Sequence, residues 1–142
     1  MTPDPRLQAV RAFFEGLQPQ DVARMGELYS EHCYFRDPFN EVRGLPAVQR
    51  VFAHMFETLV SARFVVREAF ADGDQAFLSW DFLLRLKGQP NERRIHGSSH
   101  LRFAPDGRVV YHRDYWDAAE EVWEKVPLLG AVLRTLKKRL RA

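Results

Sequence analysis

After Ser61 the spacing of apolar residues changes from about 3.6 to 2, and that change limits what the chain can fold into. In residues 75–89, QAFLSWDFLLRLKGQ, one side carries Ala76, Leu78, Trp80, Phe82, Leu84 and Leu86. The other side mixes Phe77, Ser79, Asp81, Leu83 and Arg85. Strict alternation predicts a strand with one buried face. ARFVVREAFADGD before it reads as a strand ending in an Asp-Gly-Asp turn. RRIHGSSHLRF and RVVYHRDYWD follow as two more strands, separated by turns at Gly88–Asn91 and Pro105–Gly107. Antiparallel strands in sequence need one face covered, and what precedes them can cover it.

Three helices are predicted upstream. Leu7, Val10, Phe13, Phe14 and Leu17 form a helical stripe over residues 5–17. Pro19 breaks it and opens a second helix, with Asp21 in its first turn and Val22, Met25, Leu28 and Tyr29 on one face. Cys33 to Asp37 reads as a short strand with Cys33, Phe35 and Asp37 on one side, ended by Pro38. Gly44 and Pro46 lead a third helix bearing Val48, Val51, Phe52, Met55, Phe56 and Leu59. The expected fold class is α+β, a curved, mostly antiparallel sheet wrapped around three N-terminal helices.

Charge excludes some functions. The chain of 142 residues has a formal net charge of +2, but RTLKKRLRA (134–142) carries five basic groups and no acid. Residues 1–133 are therefore at −3, the opposite of a nucleic-acid-binding surface, so no nucleic acid partner is expected. One cysteine, Cys33, rules out an internal disulfide and a multi-cysteine zinc site, and reads as a buried small hydrophobe. His96 and His100 share a strand face, but four residues of strand separate them by roughly 13 Å, too far to share an ion. No metal or other cofactor is expected. No apolar run is long enough to cross a membrane and MTPDPRLQAV lacks a signal-peptide pattern, so a cytoplasmic location is expected.

LYSEHCYFRDPF, VRGLPAVQRVF, LRFAPDGRV and DYWD, in that order and spacing, resemble the nuclear transport factor 2-like superfamily, in its SnoaL-like and ketosteroid isomerase-like branch. The resemblance covers roughly residues 6–118 and implies a cone-shaped domain over residues 1–118, with 119–142 as an appendage. It implies isomerase, dehydratase or hydrolase chemistry on a small hydrophobic metabolite, or non-catalytic binding of one, and a homodimer through the outer sheet face. Asp37 falls where ketosteroid isomerases hold their general base. Their oxyanion tyrosine position is occupied by Phe13 and their second donor position by Ser99, so steroid isomerisation is not expected. The position of Trp116 faces the cavity in this family, and alternation turns Asp114 and His112 inward with it. A slip of one residue would turn Arg113 and Tyr115 inward instead.

Asp37, His112 and Asp114 are thus the candidate catalytic residues, in a pocket of Phe13, Tyr29, Phe35, Phe52, Phe56, Trp80, Phe82, Ser99 and Trp116. Two simpler roles stand beside these: Asp37 as an Asx-type strand terminator before Pro38, and Asp114 as the holder of a structural ion pair. His54 is expected to face solvent, His96 and His100 to lie at the surface or an interface, and Trp123 to pack the tail back onto the domain. Residues 128–141 read as a basic amphipathic helix with Leu128, Leu129, Val132, Leu133, Leu136 and Leu140 along one side. Such a helix suits docking on its own domain, on a partner or on an anionic membrane surface.

Overall fold

The computed structural model describes residues 3–118 and 127–141. Helix α1, Pro5–Glu15, starts where the Asp4 carboxylate accepts the backbone N–H of Arg6 at 2.9 Å, and Pro5 supplies a preset first turn. A 3-10 helix, Pro19–Glu27, takes the place of the second α-helix. Its core residues Val22 and Met25 are three apart, and a 3-10 helix repeats every three residues. Strand β1, Tyr29–Arg36, follows, so Tyr29 opens a strand rather than closing a helix. Then come β2 (Glu41–Arg43), α2 (Leu45–Thr58), β3 (Leu59–Asp72), β4 (Gln75–Leu86), β5 (Arg93–Phe103) and β6 (Val109–Tyr115). Gly44 stands before α2 at φ 89°, a backbone state that glycine adopts without strain.

The six strands form one open sheet in the order β2-β1-β6-β5-β4-β3. All neighbours are antiparallel except β1 and β6, which run parallel. The α+β expectation holds. The concave face carries the apolar set of β4, with Ala76, Leu78, Trp80, Phe82 and Leu84 all buried. Opposite them stand Leu7 and Val10 of α1, Met25 of the 3-10 helix, and Val48 and Phe52 of α2. Cys33 is fully buried, and burial pushes its thiol up from the ordinary value.

The outer face is different in kind. Rings of Phe70, Phe77, His100, Tyr111 and Tyr34 run across five strands with successive centroids 5.8, 4.4, 5.2 and 5.3 Å apart. Beside this row Asp81, only 3 % exposed, bonds Arg67 at 2.9 Å and His96 at 2.8 Å. His96 and His100 therefore lie on this outer side, as their alternation predicted.

Helix α3, Pro127–Leu140, is the tail helix read from the sequence. Trp123, expected to pack it back, lies outside the described residues. Among the described residues, no helix is long and apolar enough to cross a membrane.

Candidate functional site

Strand pairing assembles the centre of the site. His112 and Asp114 are two apart on β6 and so share its concave face. Ser99 on β5 is the direct cross-strand partner of Asp114. Trp80 on β4 pairs with Gly97, which puts Ser99 on the diagonal within reach of its indole. The bonds follow from that register. Trp80 Nε1–H donates to Ser99 Oγ at 2.9 Å, and Ser99 Oγ–H donates to Asp114 Oδ1 at 2.5 Å. His112 Nε2 lies 2.6 Å from the same Asp114 oxygen, and Tyr29 Oη lies 2.6 Å from His112 Nδ1.

The proton positions in this chain follow from chemistry. Burial, and then the charge of Asp114, hold the Tyr29 phenol well above its ordinary value of 10, so its hydroxyl is a donor. His112 Nδ1 must then accept, which leaves the ring hydrogen on Nε2, aimed at Asp114. Indole N–H only donates, so the Ser99 hydroxyl accepts from Trp80 and passes its own hydrogen to Asp114. Both donors converge on Oδ1. Oδ2 takes neither of them.

The surroundings are largely apolar. The imidazole of His112 sits among the rings of Phe14, Tyr29 and Phe35, at 5.8, 5.9 and 5.0 Å between centroids. Asp114 borders three spaces. The innermost, about 20 Å³, is walled chiefly by Val10, Phe14, Phe64, Leu78 and Leu101, with Ser99 and His112. A cavity needs at least about 10–15 Å³ of such space to hold one water, so this pocket has room for about one. The second, about 190 Å³, runs between α2 and the sheet past Phe35, Phe52, Phe64, Trp80, Phe82 and Trp116. The third is an open vestibule of about 520 Å³ edged by Arg36, Asp37, Arg113 and Asp117.

Asp37 borders the second and third spaces, as Asp114 does. It is also a turn residue. Its Oδ1 accepts the backbone N–H of Phe39 at 2.8 Å and of Asn40 at 2.7 Å, and the Asn40 side chain adds bonds at 3.1 and 3.2 Å. The two readings of this carboxylate, strand terminator and cavity wall, are both present in the structure.

Some pocket residues are placed differently. Phe14, not Phe13, lines the inner pocket, and Phe13 stands edge-on behind it at 5.5 Å. Tyr29 is fully buried and reaches the site only through His112. From α2 the wall takes Val51, Phe52, His54 and Met55, while Phe56 packs on the core. His54 is on the rim with its side chain 75 % exposed. Phe64 was missed, although Ala62, Phe64 and Val66 alternate inward along β3 and carried the same signal as β4. Arg113 and Tyr115 face away from His112, so the register was read correctly. Among the described residues, no group of three or more His, Cys, Asp or Glu could hold a metal ion.

The profile of the SnoaL-like domain family matches residues 10–112, nearly three quarters of the chain. The chain belongs to the SnoaL-like domain family. No curated relative matches this SnoaL-like domain in sequence. Solved structures match it in fold. A hypothetical protein with a ketosteroid isomerase-like fold from Catenulispora acidiphila, in complex with trimethylamine, superposes with a TM-score of 0.72 at 17 % identity, over 89 % of this chain and 95 % of that one. An LEH-like epoxide hydrolase from M. tuberculosis gives 0.70 at 19 %, over 92 % and 96 %. An NTF2-like protein of unknown function from Burkholderia pseudomallei gives 0.72 at 17 %, over 82 % and 94 %. At these identities the likeness speaks for the cone-shaped fold of the SnoaL-like domain.

Proposed function

We propose that this SnoaL-like protein is an acid–base enzyme that adds water to, or removes it from, a small hydrophobic substrate, with Asp114 as the general base. One observation carries the reading. The oriented carboxylate of Asp114 is the shared wall of a pocket sized for about one water and an aromatic cavity of about 190 Å³. A water in the first and an electrophilic carbon in the second meet at Oδ2.

In the hydration direction Asp114 Oδ2 takes a proton from the water as its oxygen attacks the substrate carbon. On an epoxide, the carbon–oxygen bond breaks and the oxyanion takes a proton at the vestibule, giving a diol. On an enone, the water adds at the β-carbon, the electron pair moves to the carbonyl oxygen, and the enolate then takes a proton at its α-carbon from the same side, giving a β-hydroxy ketone. Asp114 then returns its proton to solvent. Dehydration is the reverse of the enone path. His112 and Ser99 keep Oδ1 engaged, so the carboxylate holds one rotamer through the cycle. Asp37 supports the mouth of the cavity, where its Oδ1 accepts the turn amides of Phe39 and Asn40.

The likeness in fold to an epoxide hydrolase is compatible with this reading. The test is turnover of a panel of hydrophobic epoxides, enones and β-hydroxy ketones, read by mass spectrometry, beside binding read by quenching of tryptophan fluorescence. Turnover of at least one class is expected, reduced by roughly 10²–10⁴ in Asp114→Asn with binding retained. Binding without turnover of any class would leave a ligand carrier and remove the enzymatic reading.

A further inference from the structure

Helix α3 carries Leu129, Val132, Leu136 and Leu140 at intervals of three, four and four, hence along one side. These side chains are 41, 51, 50 and 86 % exposed. A helix that covers its own core hides such a stripe. This one shows it to solvent.

Within residues 127–141 the charged side chains have one sign. Residues 127–141 contain Arg134, Lys137, Lys138, Arg139 and Arg141 and no carboxylate. At about 100° per residue, Lys137 and Arg139 fall roughly 80° to either side of the stripe, with Lys138 behind it. An apolar line with a cation on each shoulder matches the boundary between acyl chains and anionic headgroups. We infer that α3 is an interfacial anchor that lies flat on an anionic lipid surface. Leu129, Val132, Leu136 and Leu140 enter the acyl boundary, and Lys137 and Arg139 meet the phosphates. The helix is 14 residues, roughly 21 Å, which suits lying on a bilayer and not crossing one.

Two other occupants fit less well. Pairing with the same stripe of a second copy brings two rows of cations within a screening length, with no acid in the segment to offset them. The chain's own domain has a complementary charge, but it leaves the stripe exposed. The anchor is independent of the chemistry proposed for the cavity.

The test is flotation of the full chain with vesicles of phosphatidylcholine alone and of phosphatidylcholine with an equal share of phosphatidylserine. Binding to the anionic vesicles is expected, weakened by added salt. Val132→Asp with Leu136→Asp abolishes it. Lys137→Glu with Arg139→Glu lowers the partition coefficient roughly tenfold or more. All four positions lie on an exposed helix face, so unchanged thermal melting shows that the domain is intact in each variant. The inference is overturned if the full chain floats with neither vesicle, or if it floats equally well in all variants. It is also overturned if, without lipid, the full chain self-associates and Val132→Asp with Leu136→Asp dissolves that assembly, since the stripe then belongs to a second copy.

Discussion

His112 Nε2 and Asp114 Oδ1 are 2.6 Å apart on neighbouring inward positions of one strand. Only 2 % of His112 is exposed. The ring nitrogen that Asp114 does not use is satisfied by Tyr29, so the pair is oriented from behind by a group that never touches the cavity. Removing any member of this chain leaves a buried polar partner without its bond, and the cost of that is larger than the worth of the bond itself.

Tyr29→Phe is the mildest such removal. It should lower stability by about 1–3 kcal/mol at neutral pH, because His112 Nδ1 loses its donor in an apolar shell. The phenol also has a pH signature. Its folded value lies well above 10, raised by burial first, so its contribution is complete below pH 10 and is lost as pH rises beyond it. Urea denaturation between pH 7 and 11 should show a steeper alkaline fall in the wild type than in Tyr29→Phe. Parallel curves would contradict the assignment of that phenol as buried and neutral.

Gly97→Ala should be among the most damaging small substitutions in the sheet. An added Cβ would stand 2.5 Å from Cη2 of Trp80 and 2.9 Å from the backbone oxygen of Tyr115, so one wall is a main chain that cannot swing aside. The indole must move, and its bond to Ser99 goes with it. A loss of about 1–3 kcal/mol is expected, with a change in near-ultraviolet circular dichroism. An unchanged spectrum would mean that Trp80 is not held against β5.

Asp81 sets an acid limit on the outer face. The His96 hydrogen bond first, and the Arg67 bond second, hold its carboxyl below the ordinary 3.8. A depressed folded value adds stability that is present above 3.8 and drains as pH falls through the folded value. Asp81→Asn should flatten the acid limb of a stability–pH curve below pH 4 and leave the alkaline limb alone. An acid limb as steep as that of the wild type would contradict this role.

Asp37 separates two roles by chemistry. Asparagine can still accept the turn amides of Phe39 and Asn40 through Oδ1, and alanine cannot. Asp37→Asn should stay within about 0.5 kcal/mol of wild type, while Asp37→Ala should cost about 1 kcal/mol. Chemical denaturation of the two variants side by side measures the difference. Equal losses would show that the carboxylate charge, rather than the turn geometry, matters at this corner.

Much of this was written in short-range pattern. The face of β4 could be read because alternation forces it, which gives Trp80 and Phe82, while on β6 alternation passed the inward position that the resemblance implied for Trp116 on to Asp114 and His112. What was not legible depends on rotation or on distant contact. Phe13 and Phe14 are adjacent in a helix, 100° apart, and only packing of α1 on the sheet decides which enters the pocket. Tyr29 lies at the junction of the 3-10 helix and β1, and its pairing with His112 spans 83 residues. The parallel contact of β1 with β6 leaves no periodic trace in either segment. Asp37 showed its local chemistry, a carboxylate before proline, but the sequence did not show that its Oδ1 takes both turn amides while the side chain also borders the cavity.

The most direct measurement is oxygen-18 incorporation from labelled water into the product of a hydrophobic epoxide or enone. The wild type should place one labelled oxygen in the product and Asp114→Asn should incorporate roughly 10²–10⁴ times more slowly, with the ligand still bound. Turnover without label would make the protein an isomerase rather than an enzyme of water. Labelled product formed at the same rate by Asp114→Asn would contradict the account, because the base would then have to be another residue.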